Sequence, residues 1–291
     1  MKIGVVMDPI ESINFKKDST LAMMLEAQSR KHQLFYITPD SLYINEKGAF
    51  AKAKNLQVKN DPTGWFDFKE EQQIKLSELD VILMRQDPPF NSNFIYNTYV
   101  LESAEKEGVL VVNKPASLRD CNEKVFATEF PECCTPFLVA SDPNLLKSFI
   151  EEHRDAVIKP LDGMGGSSIF RLRYSDPNLN VILETITESF STKVMIQTYI
   201  PEIADGDKRI LLINGVPMNA AVARVPARGE LRGNLAAGAS AVARSLTEKD
   251  IWICEQVGPK LKELGLVLVG LDIIGDYLTE INVTSPTCFR E

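Results

Sequence analysis

Short apolar runs and stretches of helical spacing alternate over the first 120 residues of the chain. The apolar runs predict buried strands at residues 2–7, 34–37, 81–84 and 109–112. Apolar positions at helical spacing predict helices over residues 18–30 and 94–106. Because strands that alternate with helices are typical of an open α/β layer, we expect a mostly parallel sheet in this part of the chain.

The pattern changes after residue 122, where strands and helices no longer alternate regularly. Helical spacing is found at residues 123–130, 143–153, 178–188 and 248–264. Strand-like runs are found at residues 156–159, 169–172, 193–198, 209–213, 219–225 and 267–281. These patterns predict an α/β and α+β protein with an N-terminal domain at residues 1–121 and two further units at 122–200 and 201–291.

A glycine-rich segment, DGMGGSS, lies between two predicted strands at residues 162–168. It is not a Walker loop, because that motif needs a lysine inside the loop and a helix after it. Gly163, Gly165 and Gly166 accept positive φ, so backbone N–H groups of this segment can turn toward an anion. The segment predicts either a flexible phosphate cover or an ordinary tight turn.

Two lysines precede the glycine-rich segment at positions that suit polyphosphate binding. Lys159 ends an apolar strand run, and Lys124 begins a predicted helix. Lysines on two separate elements can converge on one polyphosphate. Taken singly, each lysine also fits a solvated surface position.

The C-terminal segment GLDIIGDYLTEIN predicts a hairpin that carries oxygen ligands for a metal. Asp272, Glu280 and Asn282 are hard oxygen donors, which suit Mg²⁺ when substrate phosphates complete its shell. A two-residue loop at Gly275 and Asp276 would place Asp272 opposite Thr279 and turn Glu280 away. The metal interpretation therefore predicts an odd-length loop, and the alternative is a hairpin with polar residues facing solvent.

Two further sets of charged residues mark possible substrate contacts. Arg85 follows a predicted strand at the sheet edge where α/β proteins bind ligands, and it either grips a carboxylate or pairs with Asp87. Residues 208–244 contain six basic residues and one acid, Glu230. The glycines within residues 226–240 predict a mobile loop that closes over a site, or a solvated basic loop.

Composition limits the classes of function. The 291 residues carry a net charge of -8, which disfavours general nucleic-acid or acidic-membrane binding. Five cysteines without zinc-like spacing indicate a reduced, cytoplasmic protein, and no run approaches the length of a spanning helix. Only two histidines are present, which excludes a histidine-rich metal site.

The motifs, taken in this order, resemble those of the ATP-grasp ligases, and their loop residues closely resemble the bacterial glutathione synthetase family. The resemblance covers nearly the whole chain and is carried by the runs MDPI, ILMRQDPPF, NKPASLRDCNEK, IKPLDGMGGSSIFR, DGDKR, RGNLAAG and VGLDIIGDYLTEINVTSPTC. It implies an N-terminal substrate domain, an ATP-grasp lid subdomain and a C-terminal subdomain with the metal site. It also implies that ATP phosphorylates γ-glutamylcysteine and that glycine attacks the resulting acyl phosphate.

The same resemblance implies a role for individual residues. Nucleotide contacts would come from Lys124, Lys159, Gly163, Gly165, Gly166, Gln197, Tyr199, Ile200 and Asp207. Two Mg²⁺ ions, or Mn²⁺ in their place, would be held by Asp272, Glu280 and Asn282. Catalytic contacts near the acyl phosphate would come from Arg209, Arg224 and Asn234, and substrate contacts from Arg85 and Arg232. Relatives resemble homotetramers, so we expect a homo-oligomer without nucleic-acid or membrane partners.

Two other functions fit the sequence less well. One is an ATP-grasp nucleotide-binding protein without ligase activity, similar to synapsins, and the other is an ATP-grasp ligase for another carboxylate and amine.

Two departures from the family pattern concern the loop and the end of the chain. Ala239 stands where relatives often have glycine, and relatives continue into a helical segment after Glu291, so we expect a truncated chain.

Overall fold

The computed structural model describes residues 1–163, 165–227, 229–230, 232–233 and 238–290. The described residues form three sheets, of six, four and five strands. The strands are β1 (Lys2–Val6), β2 (Gln33–Asn45), β3 (Gly48–Val58), β4 (Phe66–Lys75), β5 (Val81–Met84), β6 (Leu110–Val112), β7 (Phe137–Ala140), β8 (Asp155–Pro160), β9 (Phe170–Arg173), β10 (Val194–Thr198), β11 (Asp207–Ile213), β12 (Val216–Val225), β13 (Ser240–Ser245), β14 (Leu268–Ile274) and β15 (Tyr277–Asn282). The α-helices are α1 (Ser19–Ser29), α2 (Ser92–Lys106), α3 (Pro115–Asp120), α4 (Pro143–His153), α5 (Leu179–Ile186) and α6 (Glu248–Glu263).

The N-terminal sheet has the strand order β4-β3-β2-β1-β5-β6. The pairs β2·β1, β1·β5 and β5·β6 are parallel, as expected, whereas β3 and β4 add two antiparallel pairs. Successive residues of β1 belong to two different cores, because Val5 packs with Leu21 of α1 and Val6 packs with Leu101 of α2. An apolar run of this kind is what a strand covered on both faces needs.

One predicted helix is wrong. Residues 123–130 do not form an α-helix, and only a short 3₁₀ helix is present at Phe126–Glu129. The Asn122 side chain accepts hydrogen bonds from the N–H groups of Lys124 and Val125, which makes a tight turn. Pro131 then keeps the residue before it out of helical conformation, so no room remains for an α-helix.

The other two sheets face each other across a cleft. The four-stranded sheet has the order β7-β10-β8-β9, and Ile158 and Ile196 on one of its faces pack in a core with α4 and α5. The five-stranded sheet has the order β13-β12-β11-β14-β15, and α6 lies against its core face. The opposite face of each sheet is therefore left to line the cleft.

The C-terminal hairpin has a two-residue turn, so the prediction of an odd-length loop is wrong. Ile274 pairs with Tyr277, yet Asp272 still pairs with Glu280 because the register shifts between these pairs. Thr279 is the extra residue of a β-bulge on β15. The bulge, rather than the loop, brings Glu280 opposite Asp272.

The N-terminal sheet is joined to the five-stranded sheet by Asn113, which is buried just after β6. Its Nδ2 donates to the carbonyl oxygens of Leu268 at 2.7 Å and Val283 at 2.6 Å, and its Oδ1 accepts from the Leu268 N–H at 2.8 Å. The start of β14 and the residue after β15 are thus fixed to the end of β6.

In the part of the chain that the structure describes, no helix combines the length and apolarity needed to cross a membrane.

Candidate functional site

A cleft of about 400 Å³ lies between the four-stranded and five-stranded sheets and reaches the N-terminal sheet. Most of the residues singled out in the sequence line it. These are Lys124, Lys159, Gly163, Gly165, Gly166, Gln197, Tyr199, Ile200, Asp207, Arg209, Arg224, Arg232, Asp272, Glu280 and Asn282. Asn234 lies outside the described residues. Arg85 is described but is absent from the lining.

Strand register produces a row of charged side chains across the five-stranded sheet. Arg209 of β11 pairs with Asp272 of β14, which pairs in turn with Glu280 of β15. Paired residues of neighbouring strands share a face, so these three side chains project into the cleft together. Asn282 is two residues after Glu280 and joins the same face.

Asp272 is engaged by two arginines. Arg209 donates to both of its oxygens, through Nε at 2.5 Å and a terminal nitrogen at 2.9 Å, and Arg224 lies 2.9 Å from Oδ2. Burial raises the pKa of Asp272, but the two arginines outweigh burial and hold the pKa well below its usual range. A Cβ on Gly270 would come within 2.8 Å of Arg209 Cδ, so glycine there leaves room for this pairing.

Asp207 lies beside the same arginine pair. Its Oδ2 accepts from Arg224 at 2.5 Å, whereas its Oδ1 is buried without a hydrogen-bond partner. Burial raises the pKa of Asp207 to about 7 against the lowering effect of Arg224. A buried acceptor without a donor is costly, so Oδ1 is suited to a ligand hydroxyl.

Two lysines approach Glu280 from the opposite side of the cleft. Lys159 Nζ lies 3.3 Å from Glu280 Oε1 and donates to the carbonyl oxygen of the bulge residue Thr279 at 3.3 Å. Lys124 Nζ lies 3.9 Å from the same Glu280 oxygen and also bonds to Glu123. Burial lowers the pKa of Lys124, but Glu280 and Glu123 outweigh it and raise the pKa, so the ammonium stays charged.

Another part of the cleft lining lies at the end of β10. Gln197 is buried on β10, and Tyr199 and Ile200 follow that strand. The guanidinium of Arg171 lies 3.5 Å from the centre of the Tyr199 ring and is held by a bidentate pair with Asp155. A buried amide beside an apolar surface suits a planar heterocycle.

The glycine-rich segment closes one side of the cleft between β8 and β9. Gly163, Gly165 and Gly166 have φ of +115°, +69° and +77°, and the carbonyl oxygen of Gly163 accepts from Lys124 Nζ at 3.3 Å. Positive φ at three positions is what allows the segment to turn over the lysine. Met164 lies outside the described residues.

Arg85 is buried behind the cleft wall. Its Nε donates to Thr20 Oγ1 at 3.0 Å, and one terminal nitrogen donates to the carbonyl oxygen of Pro286 at 3.0 Å. The other terminal nitrogen is buried without a partner, and burial lowers the pKa of Arg85 to about 10. In this structure the guanidinium supports residues 284–288, which line the cleft.

Four charged residues of the lining were not predicted to belong to the site: Asp87, Glu123, Arg171 and Glu230. Each lies within a motif whose other members were recognised, since Glu123 precedes Lys124 and Asp87 follows Arg85 by two positions. An acid next to a recognised basic residue is the signal that could have found the first two. Arg232 forms a salt bridge with Glu230, with a nitrogen–oxygen distance of 2.7 Å.

The oxygen donors fit a divalent ion only in part. Among the described residues, no group of three or more His, Cys, Asp or Glu side chains is arranged to hold a metal by itself. Asp272 and Glu280 supply carboxylate oxygens and Asn282 an amide, but arginines and lysines already approach both carboxylates. This donor set fits an ion whose remaining ligands come from a nucleotide.

Two family descriptions match the chain over nearly all its length. The N-terminal domain of prokaryotic glutathione synthetase matches residues 1–119, and the ATP-grasp domain of prokaryotic glutathione synthetase matches residues 123–291. A glutathione synthetase of Pseudomonas putida is 60% identical over 291 residues, which cover all of this chain and 92% of that protein. A glutathione synthetase of Vibrio cholerae is 57% identical with the same coverage.

Solved structures share the fold at much lower identity. D-cycloserine synthetase DcsG has a TM-score of 0.67 and 14% identity, and the match covers 98% of this chain and 92% of that chain. The ATP-grasp ligase PsnB has a TM-score of 0.63 and 18% identity, with 99% and 91% covered. These matches show the ATP-grasp fold alone.

Proposed function

The chain belongs to the prokaryotic glutathione synthetase family and is an ATP-dependent ligase that forms glutathione, and we propose that the cleft between its two C-terminal sheets is the site of that reaction. In this proposal, ATP phosphorylates the cysteinyl carboxylate of γ-glutamylcysteine. The amine of glycine then attacks the acyl phosphate, and phosphate leaves. ADP, phosphate and glutathione are the products.

The two-sheet arrangement supports a nucleotide that lies along the cleft. Gln197, Tyr199 and Ile200 would surround the adenine, and the unpaired Oδ1 of Asp207 would accept a hydrogen bond from a ribose hydroxyl. Lys124 and Lys159 would contact the phosphates. Backbone N–H groups of the segment with Gly163, Gly165 and Gly166 would cover them.

Asp272, Glu280 and Asn282 would hold divalent metal together with the nucleotide phosphates. We propose two Mg²⁺ ions, with Mn²⁺ as a substitute. The metal supplies neutralisation of the charge that develops on the transferring phosphoryl group. The protein would hold the three oxygen donors on one face of the β14–β15 hairpin.

Arginines on the same face would stabilise the transferred group. Arg209 and Arg224 are buried and already oriented by Asp272 and Asp207, which fits donors that need little rearrangement. Phosphoryl transfer depends on positioning and charge more than on proton transfer, so the site needs no histidine. Arg232 would contact the substrate, and Asn234, which lies outside the described residues, would act with Arg209 and Arg224 near the acyl phosphate.

Arg85 would bind γ-glutamylcysteine only after one of its present contacts is exchanged, since it now supports Pro286.

The division into a substrate domain at 1–121, a lid at 122–200 and a metal-bearing unit at 201–291 is part of the same proposal. So are a homotetrameric assembly and a cytoplasmic location. The five cysteines are present as thiols, which fits a reducing compartment.

The observation that carries the proposal is the row Arg209, Asp272 and Glu280 facing Lys159 across one cleft. The test is phosphate release from ATP with γ-glutamylcysteine, with and without glycine. D-alanine and glutamate replace the natural substrates as controls. Full turnover only with γ-glutamylcysteine and glycine is expected, and equal turnover with the controls would indicate a ligase for another pair.

A further inference from the structure

Charged groups in the cleft are almost completely paired. Six acidic and six basic residues line its described part. Every one of the six basic residues forms an ion pair, and so do five of the acids. Among the described lining residues, Asp87 is the one acid without a salt-bridge partner. Asp87 is therefore the acid of this lining with which a positively charged group of a ligand would pair.

Asp87 lies at an exposed position of the cleft lining. The residue follows β5, its backbone N–H donates to Asp8 Oδ2 at 2.8 Å, and its side chain is exposed to the cleft beside Ser285. Loss of hydration raises the pKa of Asp87, and the positive charge of nearby Arg85 offsets that rise only in part. A cationic group of a ligand beside Asp87 would offset the remaining cost of its lost hydration.

The ligand that brings this charge is one of the substrates of the ligase reaction. ATP is anionic, so an unpaired carboxylate near its phosphates would repel it. Asp87 instead follows β5 of the N-terminal sheet, whereas Gln197 and Tyr199 lie at the end of β10 in the four-stranded sheet. Glycine must present an unprotonated amine to attack, and a carboxylate partner would retain the proton on that amine.

We propose that Asp87 binds the α-ammonium group of γ-glutamylcysteine and thereby selects substrates with a free amino group at the glutamyl end. This inference rests on the proposed function, because it assigns one subsite of the same cleft. The group recognised is a primary ammonium on the carbon that also carries the α-carboxylate. Asp87 acts as a binding residue and takes no part in phosphoryl transfer.

The experiment compares γ-glutamylcysteine with N-glutarylcysteine, which lacks only the α-amino group. For the unaltered protein, kcat/KM is expected to fall roughly 10- to 100-fold with the analogue, the scale for losing a hydrogen bond to a charged group. Asp87→Asn is expected to lower kcat/KM for γ-glutamylcysteine by a similar factor. The same variant should use the analogue within about twofold of the unaltered protein.

The control is Asp61→Asn, which removes the same charge from an exposed turn of the same domain and should keep the full preference for γ-glutamylcysteine. Thermal unfolding of each variant checks that the fold is retained. The inference is overturned if Asp87→Asn still discriminates fully against the analogue, if the unaltered protein does not discriminate, or if only the KM for glycine changes. Absence of glutathione formation by the unaltered protein would instead refute the proposed function.

Discussion

Lys208 and Arg209 are neighbours on β11, and each forms a buried ion pair, but on opposite sides of the sheet. Lys208 lies on the core side and pairs with Asp250 of α6. Arg209 lies on the cleft side and pairs with Asp272 of β14. Side chains alternate along a strand, so adjacent residues of β11 project from opposite faces of the sheet. The ion pair of Lys208 therefore lies beneath α6, whereas the ion pair of Arg209 lies in the cleft.

The two pairs differ in what else their carboxylates contact. Asp250 is completely buried and also accepts from the Thr247 N–H in the capping box of α6, so its hydrogen-bonding capacity serves the fold. Asp272 is in a row with Glu280 and opens onto the cleft. Burial of an ion pair therefore does not identify a functional residue. The other groups that the carboxylate contacts, and whether it opens onto the cleft, do identify it.

The largest expected effect comes from removing the carboxylate of Asp272 together with that of Glu280. Asp272→Ala combined with Glu280→Ala should lower Mg²⁺-dependent ATP turnover by at least about 10³-fold, because no carboxylate remains for the metal on the cleft face of the hairpin. Phosphate release at saturating substrates measures it. The companion Asp272→Asn with Glu280→Gln keeps the side-chain volumes and should be equally inactive, and ordinary turnover in either protein would refute the hairpin metal site.

Asp250→Ala breaks the core pair and should act on stability instead. Lys208 would be left as a buried, unpaired charge, which costs about 3–5 kcal/mol of the free energy of unfolding. Urea denaturation measures this loss, and kcat of the folded fraction should stay unchanged. Glu248→Ala removes an exposed acid from the same helix and should change stability by less than about 1 kcal/mol. A marked loss of kcat in Asp250→Ala would mean that the core pair also supports the reaction.

Arg224→Ala should lower kcat by roughly 10²-fold, the scale for losing one transition-state charge contact. Arg224 is oriented by Asp207 and Asp272, whereas Arg244 of β13 is exposed on the same sheet. Arg244→Ala is therefore the matched control and should retain kcat. Steady-state kinetics of both folded variants decide the matter, since unchanged turnover in Arg224→Ala removes this residue from the mechanism.

The smallest effect is expected when both charges of the core pair are removed together. Lys208→Met added to Asp250→Ala should recover stability to within about 1–2 kcal/mol of the original, because no unpaired charge remains and only the capping interaction is lost. Urea denaturation of the single and double variants gives the coupling free energy. A double variant no more stable than Asp250→Ala alone would show that the charge of Lys208 is not the source of the loss.

Much of the fold could be predicted where one pattern dominates. Helix α4 begins at Pro143 after the capping Asp142, and both its ends agree with the prediction. Strand β3 was missed because its buried positions include Ala49, Ala51 and Ala53. Alanine forms strands weakly, and the residues between these alanines are polar or charged in part, so no strong strand signal results.

The site could be predicted as a set of residue types but not as a set of contacts. Asp272, Glu280 and Asn282 were recognised as oxygen donors, yet the pairing of Asp272 with Arg209 depends on the register between β11 and β14. Local sequence does not determine the register of strands about 60 residues apart. Arg85 was recognised as a basic residue at a strand end, but its contact with Pro286 depends on a segment about 200 residues later.

The bulge at Thr279 limits how this hairpin can change during evolution. Leu278 and Ile281 both pack in the core although they are three residues apart, and Glu280 between them faces the cleft. Loss of the Thr279 codon would remove the bulge and keep Glu280 opposite Asp272, whereas one more residue at the same place would move Glu280 away from Asp272. Which changes of length this hairpin tolerates therefore depends on whether they fall at the bulge.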